Sequence, residues 1–191
     1  MSIPTSVNPL LDTTGENCMV GQRGAVWFLA GVNGGGSAER TCSVPEGLPL
    51  FFPVTNIIFA NSPNVCGQGP DNFTVKFMQG VIKPLVDSSR NLSVSVDGQN
   101  VKKTLLQRVQ SDPFEVALPE DNLFVAPCST QTPPGSPAGI YSPAVDDGFY
   151  VALPPLKLGS HTIHFHADNA DGTVAQDVLY HLRNLCKRRL Q

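Results

Sequence analysis

Apolar and polar residues alternate with a period of two along much of this chain, the signature of half-buried β-strands. The clearest block is the last. From Gly148 to Arg183, GFYVALPPLKLGSHTIHFHADNADGTVAQDVLYHLR reads as three strands in succession. Phe149 to Leu153 is β-branched, aromatic or small, and Pro154-Pro155 stops it, because proline donates no backbone hydrogen bond. From Ser160 to Ala167, Ile163 and Phe165 share one face, and Thr162, His164 and His166 the other. Asp168 to Gly172 is turn chemistry, and Val174 to Leu182 is the return strand. A hairpin closed there places His164 and His166 near Asp177, in a register that a one-residue slip would reverse.

The earlier chain continues the pattern. Residues 1–23, with Pro4 and Pro9, read as an extended N-terminal arm. Ala25 to Val32 is apolar on both faces and predicts a central strand containing Trp27, with Asn33 to Ser37 as a flexible hairpin loop after it. Arg40–Val44 and Leu48–Ile58 are strands parted by Pro45-Glu46-Gly47, and Phe51, Phe52, Val54, Ile57 and Ile58 supply core. Val75, Met78, Val81 and Ile82 are spaced for a short helix near 74–83, limited by Gly80 and Pro84; a bulged strand fits the same segment. Asn91 to Val96 points Leu92, Val94 and Val96 inward and Ser93 and Ser95 outward, before a tight turn at Asp97-Gly98-Gln99. Val101–Val109 returns, Phe114–Leu118 is a strand, and Pro119–Pro143 is a long irregular loop. Roughly eight to ten short strands with turns between them predict an all-β, single-domain β-sandwich, immunoglobulin-like or jelly-roll. It spans 24–184, with a basic tail at 185–191.

Composition agrees. Of 191 residues 41% are hydrophobic and only 15% charged, with 17 glycines and 17 prolines, which suits a turn-rich β protein. A net charge of −3 offers no broad attraction to nucleic acid, and the one basic cluster, Lys187-Arg188-Arg189, reads as a solvated tail. No apolar run approaches the ~20 residues of a membrane helix, so membrane insertion is not expected. The first residues, MSIPTSVNPLLD, lack the charged start and apolar middle of a signal peptide. The cysteines, Cys18, Cys42, Cys66, Cys128 and Cys186, form no C-x-x-C pair. Their wide spacing in a loop-rich β protein suggests disulfides and an oxidising compartment, with five reduced thiols as the alternative. Cys18 with Cys42, bracketing Trp27, and Cys66 with Cys128, both in Gly/Pro-rich loops, are the natural pairs, leaving Cys186 over.

Gly24-Ala25-Val26-Trp27-Phe28-Leu29-Ala30-Gly31, the run from Cys42-Ser43-Val44-Pro45 to Leu50-Phe51-Phe52-Pro53-Val54, and the closing Gly159-Ser160-His161-Thr162-Ile163-His164-Phe165 resemble an uncharacterised family of secreted bacterial β-sandwich proteins. The likeness covers roughly Asn8 to Asn184. It implies a secreted or periplasmic protein whose export signal and a Trp-rich segment precede Asn8, and it implies no activity and no catalytic residues.

Three chemistries are worth weighing. His164 and His166 lie on one strand face, and Asp177 or His181 could join them around a transition metal such as Zn, Cu, Ni or Fe. The match to a cupin is partial: Gly159 precedes the His-x-His pair, but no Glu follows. The simpler reading is a half-exposed strand face, with His161 hydrogen-bonded at a strand start. A serine nucleophile lacks G-x-S-x-G. A protein or carbohydrate ligand could use Trp27, Tyr141, Phe149 or Tyr150; Trp27 reads as core, and Tyr141, in the long loop, as the best exposed ring. The balance favours a binding or structural module without a cofactor over an enzyme; a metal-dependent jelly roll is the alternative.

Overall fold

The structure is a computed structural model and describes residues 2–185, so Cys186 and the 187–189 basic cluster lie outside the described residues. The chain is mostly β, with ten strands in two sheets. They are β1 Trp27–Phe28, β2 Ser37–Pro45, β3 Leu50–Ala60, β4 Arg90–Val96, β5 Gln99–Asn100, β6 Leu106–Gln110, β7 Phe114–Leu118, β8 Gly139–Leu153, β9 Gly159–Asp168 and β10 Val174–Leu185. Helix α1, Val75–Asp87, falls where the helical spacing predicts it, and α2 is a single turn at Val125–Cys128. One sheet has the order β1-β3-β8-β6, with β7 also on β8; the other runs β2-β10-β9-β4-β5.

Four expectations give way. Of Ala25–Val32 only Trp27–Phe28 is ladder, at a sheet edge and parallel to β3. The Leu29 amide still reaches Phe51 O (3.0 Å), but side chains capture the later ones: Ala30 N–H donates to the Tyr180 hydroxyl (3.0 Å) and Val32 N–H to Gln176 Oε1 (2.7 Å). β1 and β2 belong to different sheets, so the glycine loop between them is no hairpin. Val101–Val109 is broken in the same way: β5 is two residues long, and a 3₁₀ turn at Lys103–Leu105 leads into β6 of the other sheet. β8, β9 and β10 do follow one another as three strands with the break at Pro154-Pro155, across which the chain passes from one sheet to the other. The N-terminal arm is turn and 3₁₀ structure rather than extended. There the Asp12 carboxylate accepts from the Thr14, Gly15 and Asn17 amides (2.8, 3.0 and 2.8 Å), and position 15 needs glycine twice over, for its φ of +96° and because a Cβ would run into the backbone of Thr41.

The chain forms two compact units built from discontinuous segments, and no linker marks the division in the sequence. The larger, Pro9–Thr55, Ser88–Arg108 and Gly148–Gln191, is a β-sandwich. Alternation turns Leu50, Phe52 and Val54 of β3 and Val151 of β8 inward. They meet Val44 of β2, Ile163 and Phe165 of β9 and Val178, Tyr180 and Leu182 of β10 in one core, where the Phe52 and Phe165 rings stack at 5.0 Å. Cys18 and Cys42 are disulfide-bonded (Cα–Cα 6.1 Å) and anchor the arm to β2.

The smaller unit is Met1–Asn8, Asn56–Asp87 and Val109–Asp147. Here residues 56–60 of β3 present opposite faces to two clusters. Ile57 and Phe59 pack with Met78 and Ile82 of α1 and Val145; Ile58 and Ala60 pack with Val116, Leu118, Tyr141 and Ala144. Met78, Ile82 and Val86, spaced i, i+4, i+8, form the buried stripe of α1.

Candidate functional site

In the smaller unit two irregular segments, 61–72 and 119–138, are held by buried amides. Asn61 Oδ1 accepts from the Phe73 amide (2.8 Å) and Gln68 Nε2 (2.9 Å), while its Nδ2 donates to Asn72 Oδ1 (2.8 Å) and Ser142 O (3.2 Å). Asn122 does the same in the second segment: its Oδ1 accepts from the Phe124 amide (3.0 Å) and Ser136 Oγ (3.2 Å), and its Nδ2 donates to Pro119 O and Ser136 O (2.7 and 2.9 Å). Each amide satisfies several backbone groups that a buried loop would otherwise leave unpaired. The Cys66–Cys128 disulfide (Cα–Cα 4.8 Å) and the Gly67 N–H to Pro133 O bond (2.9 Å) then join the two segments.

Between these segments and the strands lies an apolar cavity of about 160 Å³. Ile58, Val65, Val116, Leu118 and Phe124 supply most of its wall, together with the disulfide and Tyr141. Tyr141 is not the exposed ring expected from the sequence; it is 9% exposed. The physical reason is that β8 begins at Gly139 rather than after the loop, and alternation turns Tyr141 inward. Its hydroxyl donates to Pro137 O (2.7 Å). Burial pushes that hydroxyl above the ordinary phenol range, and a hydrogen bond with Ser136 works against the shift.

His164, His166 and His181 occupy the outer face of the other sheet, in the sandwich unit. The β9–β10 register sets Asp177 opposite His166. His164 Nε2 lies 2.7 Å from Asp177 Oδ1, and His166 Nδ1 3.4 Å from the same oxygen, with its Nε2 3.1 Å from Asp168 Oδ1. Thus His164, His166 and Asp177 do come together. His181 does not join them: its Nε2 sits 2.8 Å from Glu39 Oε1 on β2. The hydrogen bond to His164 holds the Asp177 carboxyl below its usual range against some burial, with His166 adding to the effect. Among the described residues no group of three or more His, Cys, Asp or Glu is arranged to hold a metal ion. At the start of β9, His161 bridges Asp97 Oδ2 (Nδ1, 2.8 Å) and Lys157 O (Nε2, 2.9 Å), while Asp97 Oδ1 accepts the Thr162 amide (2.8 Å). The hydrogen bond between them raises the His161 pKa and lowers that of Asp97.

The other ring residues sort plainly. Trp27 is core, at 3% exposure. Tyr150 stacks on Phe51 (5.4 Å), and Arg108 sits over Phe149 (5.8 Å). A residue the candidate list missed is Arg40, which is 1% exposed. Its Nε donates to Asp12 O (2.7 Å), Nη1 to Ala30 O (2.5 Å) and the Tyr180 hydroxyl (2.8 Å), and Nη2 to Gly31 O (3.0 Å). The signal was its parity on β2 with Ala38, Cys42 and Val44.

No helix among the described residues is long and apolar enough to cross a membrane. No family model matches the chain, and no curated protein or solved structure is significantly similar to it.

Proposed function

We propose that this protein is an exported, disulfide-stapled, non-catalytic binding module that houses its ligand in the cavity beside Tyr141. The observation that carries the reading is the cavity itself, an apolar space whose rim is fixed by a disulfide and by fully bonded buried amides. Concave, mostly apolar, pre-formed sites of this kind are where small ligands bind. Two disulfides support an oxidising compartment, periplasmic or extracellular.

Occupancy tests it. Protein purified from its own host is extracted with organic solvent, and the extract is compared by mass spectrometry with that of Ala60→Leu, which fills the cavity. A small molecule present only in the wild type supports the reading; identical extracts remove the cavity as the site. A thiol count on the same sample is expected to find only Cys186 free, and five free thiols would remove export. Elemental analysis tests the alternative in which His164 and His166 hold a transition metal. About one equivalent of metal, lost in the double alanine variant, would displace the binding-module reading.

A further inference from the structure

Resting on that reading, we infer that the group the cavity accepts is neutral and hydrophobic, no larger than about one six-membered ring. Size sets the first limit. A volume of about 160 Å³ compares with the ~150 Å³ apolar cavity that takes up benzene in another protein, which suits one ring inside the pocket.

The wall sets the second. It holds no Lys, Arg, His, Asp or Glu, so a charged group inside would be desolvated without a counter-charge. Its hydroxyls are already committed as donors. Ser62 Oγ points to Val65 O and Gln68 Oε1 (3.4 and 3.3 Å), Ser136 Oγ to Asn122 Oδ1 (3.2 Å) and Tyr141 Oη to Pro137 O (2.7 Å). A ligand carboxylate, carbonyl or ether oxygen therefore finds no side-chain donor waiting. The rings of Phe124 and Tyr141 and the polarizable sulfurs of Cys66 and Cys128 offer dispersion and ring-edge contacts instead. The rim's covalent and hydrogen-bonded ties mean little ordering is needed on binding, so a small apolar group can be held with few contacts.

The test uses oxidised, full-length protein and four probes of one size: toluene and phenol, which are neutral, and benzoate and benzylammonium, which are charged. Methyl resonances of Val116 and Leu118 report the cavity. Toluene and phenol are expected to shift them saturably. Benzoate and benzylammonium are expected to bind at least about tenfold more weakly. Ala60→Leu is expected to abolish the shifts while keeping a folded spectrum, and Val65→Phe serves if the first variant does not fold. Charged probes acting as strongly as neutral ones would overturn the chemical class while leaving the cavity as the site. Silence of all four probes at Val116 and Leu118, or undiminished binding in a folded filled variant, would overturn both.

Discussion

In the sandwich unit Phe52 and Phe165 stack at 5.0 Å with neither ring exposed, and Ala167 beside them is equally sealed. In the smaller unit Ile58, Val116, Leu118 and Tyr141 line an apolar cavity of about 160 Å³ that no other side chain fills. Both regions draw inward-facing residues from β3 and β8, so strand alternation alone does not decide whether a core fills. The difference lies in what covers the sheet. A second sheet brings its own alternating row of large side chains to interdigitate with the first. Two irregular segments bring amides, prolines and a disulfide, whose shapes are fixed by their own bonding and do not adjust to close a gap. Loop-covered strands are thus the natural place for a fold to keep a cavity.

The largest expected contrast is truncation. Phe52→Ala should cost about 3–5 kcal/mol in chemical denaturation, because the sealed sandwich cannot collapse into the space. Leu118→Ala, on the wall of the cavity, should cost less; equal losses would mean that the two cores are packed alike. Removing Cys66–Cys128 as a double serine variant should cost about 4 kcal/mol on the chain-entropy estimate for a 62-residue separation. It should also abolish toluene binding, which the sandwich disulfide Cys18–Cys42 should not influence. Overfilling separates the regions by sign. Ala167→Leu should destabilise by about 1–3 kcal/mol. Ala60→Leu should be neutral or should raise the melting temperature, and a melting temperature lowered as far as that of Ala167→Leu would remove the contrast.

The smallest effect is a pH-dependent one in the sandwich unit. The His161 pKa is raised from 6.5, so its contribution is complete below that value and is lost as pH rises through the raised one. That of Asp97 is lowered from 3.8, so its contribution is present above 3.8 and fades as pH falls through the lowered value. The stability difference between wild type and Asp97→Asn should therefore be greatest between pH 3.8 and 6.5, at under about 1 kcal/mol for so exposed a pair. A difference that grows above pH 8 would contradict the pairing.

Much of this was legible in the residues. The alternation of Leu92, Val94 and Val96, and of Ile163 and Phe165, gives strands and faces correctly, because each strand's pattern is local. The β9–β10 hairpin follows from its turn, and with it the meeting of His164, His166 and Asp177. What failed depends on distant partners. Ala30 and Val32 leave the ladder because Tyr180 and Gln176 take their amides. Tyr141 was misplaced because a Pro-rich segment hid the first residues of β8, and the parity that buries it cannot be counted until the strand's start is known. The cavity was invisible for a related reason: the sequence names its wall but not the gap between the wall's parts.

The parallel pairing of β2 with β10 has a consequence for biosynthesis. β2 ends its sheet, and its one sheet neighbour is β10, which leaves the ribosome after nearly all the rest of the described chain. Until then the groups of Ser37–Pro45 that pair with β10 wait for it, although the Thr41 amide can already reach Thr14 O in the arm (2.9 Å), and the nascent chain carries a largely unpaired strand through most of its synthesis. Such long-range closure is slow, and the interval before it is when the chain is most open to misassembly or to holding factors. Early bonding of Cys18 to Cys42, both made before β10, would fix β2 to the arm while it waits.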